Sequence, residues 1–185
     1  MIPASNIVPI LETERLVLRG IEQRDHKPFA AFYATEATSF VGGPMSSELA
    51  WRKLAGYAGG WLLRGFGQFA VEEKSTGDFV GVVGPYHPEG WPEPEIAWSI
   101  VTDFQGKGYA KEAALRSLRY AYEDLGWQKA CSCIDAENTP SIRLAESLGA
   151  VCEGETEIRP FGPALLYRHK SPAEILGSNH LGSAA

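Results

Sequence analysis

The stretch Gln105-Gly106-Lys107-Gly108-Tyr109-Ala110 carries the strongest chemical signal in the chain. It follows a β-like run, Glu95 to Val101, and opens a helical pattern from about Gly108 to Leu125. The first N–H groups of a helix have no partner within it, and the helix dipole favours an anion there. Glycines at 106 and 108 allow positive φ or close backbone approach. Lys107 and Lys111 add positive charge. The turn suits a phosphate or pyrophosphate. It is not a Walker loop, because no G-x-x-x-x-G-K-[ST] occurs. A dinucleotide G-x-G-x-x-G would need glycine where Lys111 stands. The pattern [QR]-x-x-G-x-[GA] does fit, through Gln105, Gly108 and Ala110. On these residues alone, an ordinary glycine-bearing turn between strand and helix fits equally well.

The rest of the composition narrows the class. At 185 residues the chain is expected to be one domain, residues 1–176, followed by a loose polar tail, 177–185. Hydrophobic residues are 44% and charged residues 22%, which needs no disulfide or metal to hold a core. There are 17 basic and 23 acidic residues, net −6, with no basic half or run. That excludes general nucleic-acid binding, which depends on clustered Lys and Arg. An acidic balance suits a cationic or amine partner, and the acidic surplus is expected around the acceptor mouth. Cys131, Cys133 and Cys152 form no C-x-x-C, and the four histidines add no ligand spacing, so no metal site is expected and the thiols are expected to be free. No apolar run reaches the roughly 18 residues of a membrane span. The N-terminal MIPASNIVPILE has no basic n-region. A cytoplasmic protein is expected.

These residues must be positioned by alternating elements. Strands are expected at Glu14 to Arg19, Phe69 to Lys74, Phe79 to Val83, Glu95 to Val101, Lys129 to Ile134, Val151 to Ile158 and Ala164 to His169. Helices are expected at Asp25 to Ala34, after Ser46, from Gly108 to Leu125, and from Ser141 to Leu148. In the second helix Trp51, Leu54, Ala55, Ala58, Trp61 and Leu62 recur at helical spacing, which places Trp51 and Trp61 in the core; Gly56, Gly59 and Gly60 weaken it. In the third, Ala114, Leu115, Leu118, Ala121 and Tyr122 make the apolar face. Glu112–Arg116 and Arg119–Glu123 make i,i+4 pairs on the other side. The order predicts an α/β (α+β) fold, a mixed and mostly antiparallel sheet of about seven strands with helices on both faces.

From ERLVLR through Leu166 the chain resembles the GNAT superfamily of acetyl-CoA-dependent N-acetyltransferases, in its RimJ/RimL-like branch, named for ribosomal-protein N-terminal acetyltransferases. The early TERLVLR, the middle EIAWSIVTDFQGKGYAKEA and the later ENTPSIRLAESLGA carry the resemblance. It implies a strand that bulges and splays from its neighbour near Ile100 and Val101, where the pantetheine arm pairs. It implies pyrophosphate on Gln105, Gly106, Lys107, Gly108, Tyr109, Ala110 and Lys111. Asn138 matches the asparagine of N-x-x-S and is expected to reach the pantetheine, a helix cap being the other reading. Arg143 faces the adenosine phosphates or solvent. A homodimer is common in the branch.

The implied reaction moves acetyl from acetyl-CoA directly to a primary amine, of a protein N-terminus or a small molecule, with no covalent acyl-enzyme. The alternative is a non-catalytic CoA-binding or interaction module. The amine must lose a proton, the carbonyl oxygen needs an N–H near Ser99 or Ile100, and the thiolate needs a hydrogen bond. Glu95 is the candidate base, against an exposed strand-end carboxylate, with Glu93 and His87 as competitors. Many members use a Tyr seven residues past the asparagine as general acid. Here that position is Ala145, leaving Ser141 to meet the sulfur or to cap the helix. Trp51, Tyr57, Trp61, Phe66 and Trp91 are candidates for the acceptor wall, the core being the other reading of Trp51 and Trp61.

Overall fold

In a computed structural model, which describes residues 8–177, eight strands form one sheet in the order β1-β2-β3-β4-β5-β6-β8-β7. They are β1 (Leu11–Glu12), β2 (Leu16–Arg19), β3 (Phe69–Glu73), β4 (Phe79–Tyr86), β5 (Glu95–Ile100), β6 (Cys131–Ile134), β7 (Val151–Ile158) and β8 (Gly162–Arg168). Every neighbouring pair is antiparallel except β5–β6. The eighth strand, beyond the seven expected, is β1. Two residues are too short to leave a periodic pattern, and β1 exists because Leu11 and Glu12 pair with Leu18 and Val17.

Helices α1 (His26–Tyr33) and α2 (Ser47–Arg64) cover one face of the sheet. Helices α3 (Tyr109–Glu123), α4 (Thr139–Ser147) and α5 (Pro172–Gly177) cover the other. Helix α5 was not expected, and Gly177 closes it. The rest of the expected tail lies outside the described residues. A buried Arg19–Asp25 pair, bonded twice at 2.8 and 2.9 Å, ties the start of α1 to β2. It fixes where Tyr33, at the far end of α1, meets the sheet.

Helix α2 is continuous through its glycines, but it is rotated from the expected phase. Ala50, Leu54, Tyr57 and Trp61 are buried, whereas Trp51 is 49% and Leu62 71% exposed. Trp51 is therefore not core. The helix holds two apolar stripes one residue apart, and only the packing on α1 and the sheet chooses between them. Helix α3 buries Ala113, Ala114, Ser117, Leu118 and Ala121, and leaves Leu115 outside. The Arg119–Glu123 pair forms at 2.8 Å. The Glu112–Arg116 pair does not. Glu112 accepts from Thr13 at 2.6 Å and from Arg15 at 2.7 Å, a tertiary anchor that displaces the local partner.

The functional geometry comes from one topological feature. β5 registers with β4 over six consecutive pairs, from Glu95↔Tyr86 to Ile100↔Gly81. It registers with β6 only at Glu95↔Cys131. Beyond that point β5 and β6 separate, and a cleft opens between them. The splay is present without the expected bulge, since the β4–β5 ladder is unbroken.

Candidate functional site

The cleft beyond the β5–β6 pairing, between the end of β5, the start of α3 and α4, has a volume of about 670 Å³. One wall is the turn that follows β5. Gly106 has φ 74° and Gly108 φ 83°, both in the left-handed region that only glycine enters freely. Gly108 is the N-cap of α3, and no side chain caps that helix. The first intrahelical bond is Glu112 N–H to Gly108 C=O, at 3.1 Å. The N–H groups of Gly108 to Lys111 are therefore the helix's unclaimed donors. A residue missing from the sequence reading, Arg15, pins the turn from behind. Its Nη1 donates to the Lys107 carbonyl at 3.0 Å, and a Cβ at position 108 would meet Nη2 at 3.3 Å. The Gln105 side chain donates to the Ile100 carbonyl at 2.8 Å and closes the end of β5.

The structure brings Ile100, Gln105, Gly106, Gly108, Tyr109, Ala110, Lys111, Asn138, Ser141 and Arg143 to this one cleft. Two expected members lie elsewhere. Val101 donates its N–H to Val80 and accepts from Phe104, both at 2.9 Å, so its backbone is occupied. Its side chain packs into the α1–α2 core. Lys107 is exposed, with its ammonium 5.0 Å from the Phe104 ring centroid, and does not line the cleft. Tyr109 offers its N–H only, because its phenol donates to Glu73 and its ring lies 4.5 Å from the Arg15 guanidinium.

On α4, Asn138 is the N-cap and accepts from Ser141 N–H at 3.2 Å through Oδ1. The cap leaves its NH₂ group for another partner. Ser141 is thus not the cap. Its hydroxyl oxygen accepts from Trp98 Nε1 at 3.2 Å, which leaves its own proton to donate. Ala145 is fully buried against Ile134, Ala150 and Tyr167. Position 145 faces the core rather than the cleft, so a Tyr there would not reach a sulfur on this backbone.

Strand N–H groups alternate in direction. Since Val101 N–H points to β4, that of Ser99 does too, and those of Trp98 and Ile100 point into the cleft. Of the two expected carbonyl donors, Ile100 is correctly aimed and Ser99 is not.

A second cavity, about 270 Å³, continues from the first past Trp98, Ser99, Asn138 and Ser141. Glu95 lies in it, 5% exposed rather than at an open strand end. It accepts from Trp91 Nε1 at 2.9 Å and from Cys133 N–H at 2.8 Å. Burial raises its pKa from 4.5 to about 7, and the two hydrogen bonds oppose the rise. Glu93 is engaged by Arg168 and Lys129 at 2.9 Å, and Arg168 holds it below the usual carboxylate range. His87 borders a neighbouring groove that excludes Glu95. Glu95 alone of the three faces this cavity.

Tyr57, Tyr86 and Trp91 form an edge-on aromatic wall, with successive centroids 5.5 and 5.3 Å apart. Phe66 packs on Trp127 and lines the neighbouring groove rather than this cavity, and Trp61 packs on Phe69. Tyr33 and Ser99 share a hydrogen bond of 3.2 Å beneath the cavity floor. The charged residues lining the cavity are Glu95, Asp135 and Lys53, two acidic and one basic, so the expected acidic surplus is slight and a lysine stands within it. Lys53 carried no signal in the sequence, because a lysine on an amphipathic helix reads as solvated. Cys131 is buried and Cys133 half-buried; Cys131 and burial push the Cys133 thiol well up, which removes it as a nucleophile. Among the described residues no group of three His, Cys, Asp or Glu side chains converges as a metal site, and no helix is long and apolar enough to cross a membrane.

Residues 15–151 match the Acetyltransferase (GNAT) domain. The chain is 28% identical over 151 residues to the uncharacterized N-acetyltransferase YoaA of Bacillus subtilis (strain 168), covering 79% of this chain and 85% of that one. The acetyltransferase from Agrobacterium tumefaciens str. C58 superposes with a TM-score of 0.81 at 29% identity, over 88% of this chain and 95% of that one. The ribosomal-protein-S5-alanine acetyltransferase from Vibrio fischeri has the same fold at a TM-score of 0.64 and 17% identity, over 88% and 96%.

Proposed function

The chain belongs to the GNAT acetyltransferase family, and on that premise we propose that it transfers acetyl from acetyl-CoA directly to a primary amine. The observation that carries this reading is the uncapped start of α3, with glycines at positive φ, set at the open edge of β5. An uncapped helix start suits a pyrophosphate, and an unpaired strand edge suits the amides of a pantetheine arm, so these residues fit CoA. When bound, acetyl-CoA supplies an acetyl group activated as a thioester.

The chain's own residues then divide the work. The N–H groups of Gly108 to Lys111 hold the phosphates, with Arg143 beside them. The edge of β5 at Trp98 and Ile100, together with the Asn138 NH₂, orients the arm. Ile100 N–H polarises the acetyl oxygen, and the Ser141 hydroxyl donates toward the sulfur. Glu95 takes the ammonium proton. Three to five residues of strand separate it from Trp98 and Ile100, roughly 10–17 Å, so it acts through water in the cavity. A pKa of about 7 leaves it ready to accept near neutral pH.

We place the chain in the RimJ/RimL-like branch on its TERLVLR and EIAWSIVTDFQGKGYAKEA stretches, acting in the cytoplasm as one domain over residues 1–176. The acceptor is then a protein N-terminus or a small amine, and a homodimer is the assembly to look for. Acetyl-CoA should raise the unfolding temperature, and an amine panel should release free CoA thiol. No thermal shift overturns the reading. A shift without turnover on any amine would favour the non-catalytic module.

A further inference from the structure

A third cavity, about 560 Å³, lies on the other side of the wall formed by Lys53, Tyr57, Gln68 and Tyr86, which borders both it and the cavity of Glu95. Lys53, Gly56, Gly60 and Arg64 line it at i, i+3, i+7 and i+11, one stripe along α2. Gly56 leaves open floor between two cations, since a Cβ there would meet nothing within 4 Å, whereas one at Gly60 would meet the Phe66 carbonyl at 3.5 Å. The cations stand ~16 Å apart along the helix.

Two side chains on the wall lack the partners their chemistry demands. Among the described residues the Lys53 ammonium has the Tyr33 and Tyr57 rings, at 5.4 and 5.5 Å, and no carboxylate or hydrogen-bond acceptor. Burial lowers its pKa. Gln68 is 3% exposed, and its Oε1 has no hydrogen-bond donor. A half-buried cation without an anion and a buried carbonyl without a donor both cost free energy. Nearby carboxylates do not relieve Lys53: among the described residues none pairs with it within 4.0 Å, Glu89 standing 3.7 Å from Arg64, Asp135 accepting from Glu137 N–H, and Glu95 from Trp91 and Cys133.

Resting on the acetyltransfer reading above, we infer that the acceptor is an anionic amine whose carboxylate or phosphate pairs with Lys53 and whose own N–H donor meets Gln68. The amine lies toward Glu95 and the body of the acceptor runs along the Gly56–Gly60 floor toward Arg64. A net-acidic protein thus selects an acidic rather than a basic acceptor.

The experiment compares acceptors that share an amine and differ in charge. β-Alanine against β-alaninamide makes the small-molecule arm, and the C-terminal amides of Gly-Asp-Gly and Gly-Asn-Gly the peptide arm, so that each pair differs by one carboxylate alone. The anionic member of at least one pair is expected to have a KM at least tenfold lower, and to bind at least tenfold tighter by calorimetry in the presence of CoA, a readout independent of turnover. Lys53→Met should erase the preference and Lys53→Arg should restore it. Arg64→Leu should weaken the peptide arm alone. Thermal unfolding reports whether each variant folds, and its shift with CoA reports separately on the acetyltransfer reading. Equal or tighter binding of both neutral members overturns the inference, as does a Lys53→Met variant that weakens charged and neutral acceptors alike. Loss of the CoA shift in the unaltered protein overturns the acetyltransfer reading instead.

Discussion

The two connected cavities are built in opposite ways. The cleft at the start of α3 is made of main chain: helix N–H groups, glycines at positive φ, and a strand edge released from its neighbour. The cavity around Glu95 is made of side chains drawn from α2, β4, β5, β6 and β8. A main-chain site is written in a short stretch of consecutive residues and tolerates side-chain change. A side-chain site is scattered along the chain and depends on burial. The first should hold a ligand common to many relatives, and the second should set the reaction's proton traffic and its acceptor. Substitutions in the two cavities should therefore separate CoA affinity from turnover.

The largest expected effect is at Glu95. Glu95→Gln should lower kcat roughly 10²- to 10⁴-fold, the usual worth of a positioned base, with CoA affinity unchanged. In the unaltered protein kcat/KM should rise with pH and level off above about 7, as Glu95 loses its proton; the variant should lose that rise. Stability moves in the opposite direction. The folded pKa is raised from 4.5 to about 7, so between those values the native state keeps a proton that the unfolded state releases, and stability falls as pH rises. Denaturant melts should show the Gln variant gaining relative to Glu through that window, by at most roughly 3 kcal/mol. A pH–rate profile unchanged by the substitution would remove Glu95 as the base and end the division of labour between the cavities.

Next is Gly108→Val. A β-branched residue at φ 83°, with its Cβ against Arg15, costs about 1–3 kcal/mol of strain unless the start of α3 moves. CoA affinity should fall roughly tenfold to a hundredfold as the N–H groups lose alignment. Calorimetry would show it, and tight CoA binding by a folded variant would mean that the phosphates lie elsewhere. Gly106→Ala, at φ 74° over open space, is the milder control.

The same contrast explains what is legible in the sequence. Most of the order of strands and helices, the glycine turn before α3 and the position of Asn138 at the start of α4 lie in contiguous, patterned stretches and are legible there. Glu95 was visible as a carboxylate, but its burial beneath Trp91 and beside Cys133 was not, because both partners arrive through other turns of the chain. Lys53 and Gln68 carry no local signal of the cavity wall they share. Trp51 was assigned to the wrong stripe because α2 offers two, and Ala145 was matched to a cleft that its helix turns away from. Arg15 was unseen as a clamp, since nothing local links position 15 to positions 107 and 112.

Asn138 allows a finer cut, between a helix cap and a ligand contact. Asn138→Asp keeps the capping oxygen and removes the NH₂ donor, whereas Asn138→Ala removes both. The Asp variant should keep its unfolding temperature and lose CoA affinity a few-fold. The Ala variant should lose about 1 kcal/mol of stability in addition. Equal CoA affinity in Asn138→Asp and the unaltered protein would leave Asn138 as a cap alone.

The smallest effect falls on the two lysines of the turn, and it tests whether main chain or side-chain charge dominates there. Lys111 lines the cleft at the exposed start of α3, whereas Lys107 lies over Phe104 and outside it. An exposed charge near a bound phosphate contributes about 0.2–1 kcal/mol and is screened by salt. Lys111→Ala should therefore weaken CoA only about two- to fourfold at low salt, and less at high salt. Lys107→Ala should change nothing measurable at either, because its useful atom is the carbonyl that Arg15 holds. If both variants lost CoA tenfold, the site would be a cationic one, and the uncapped helix start would no longer account for its anion affinity.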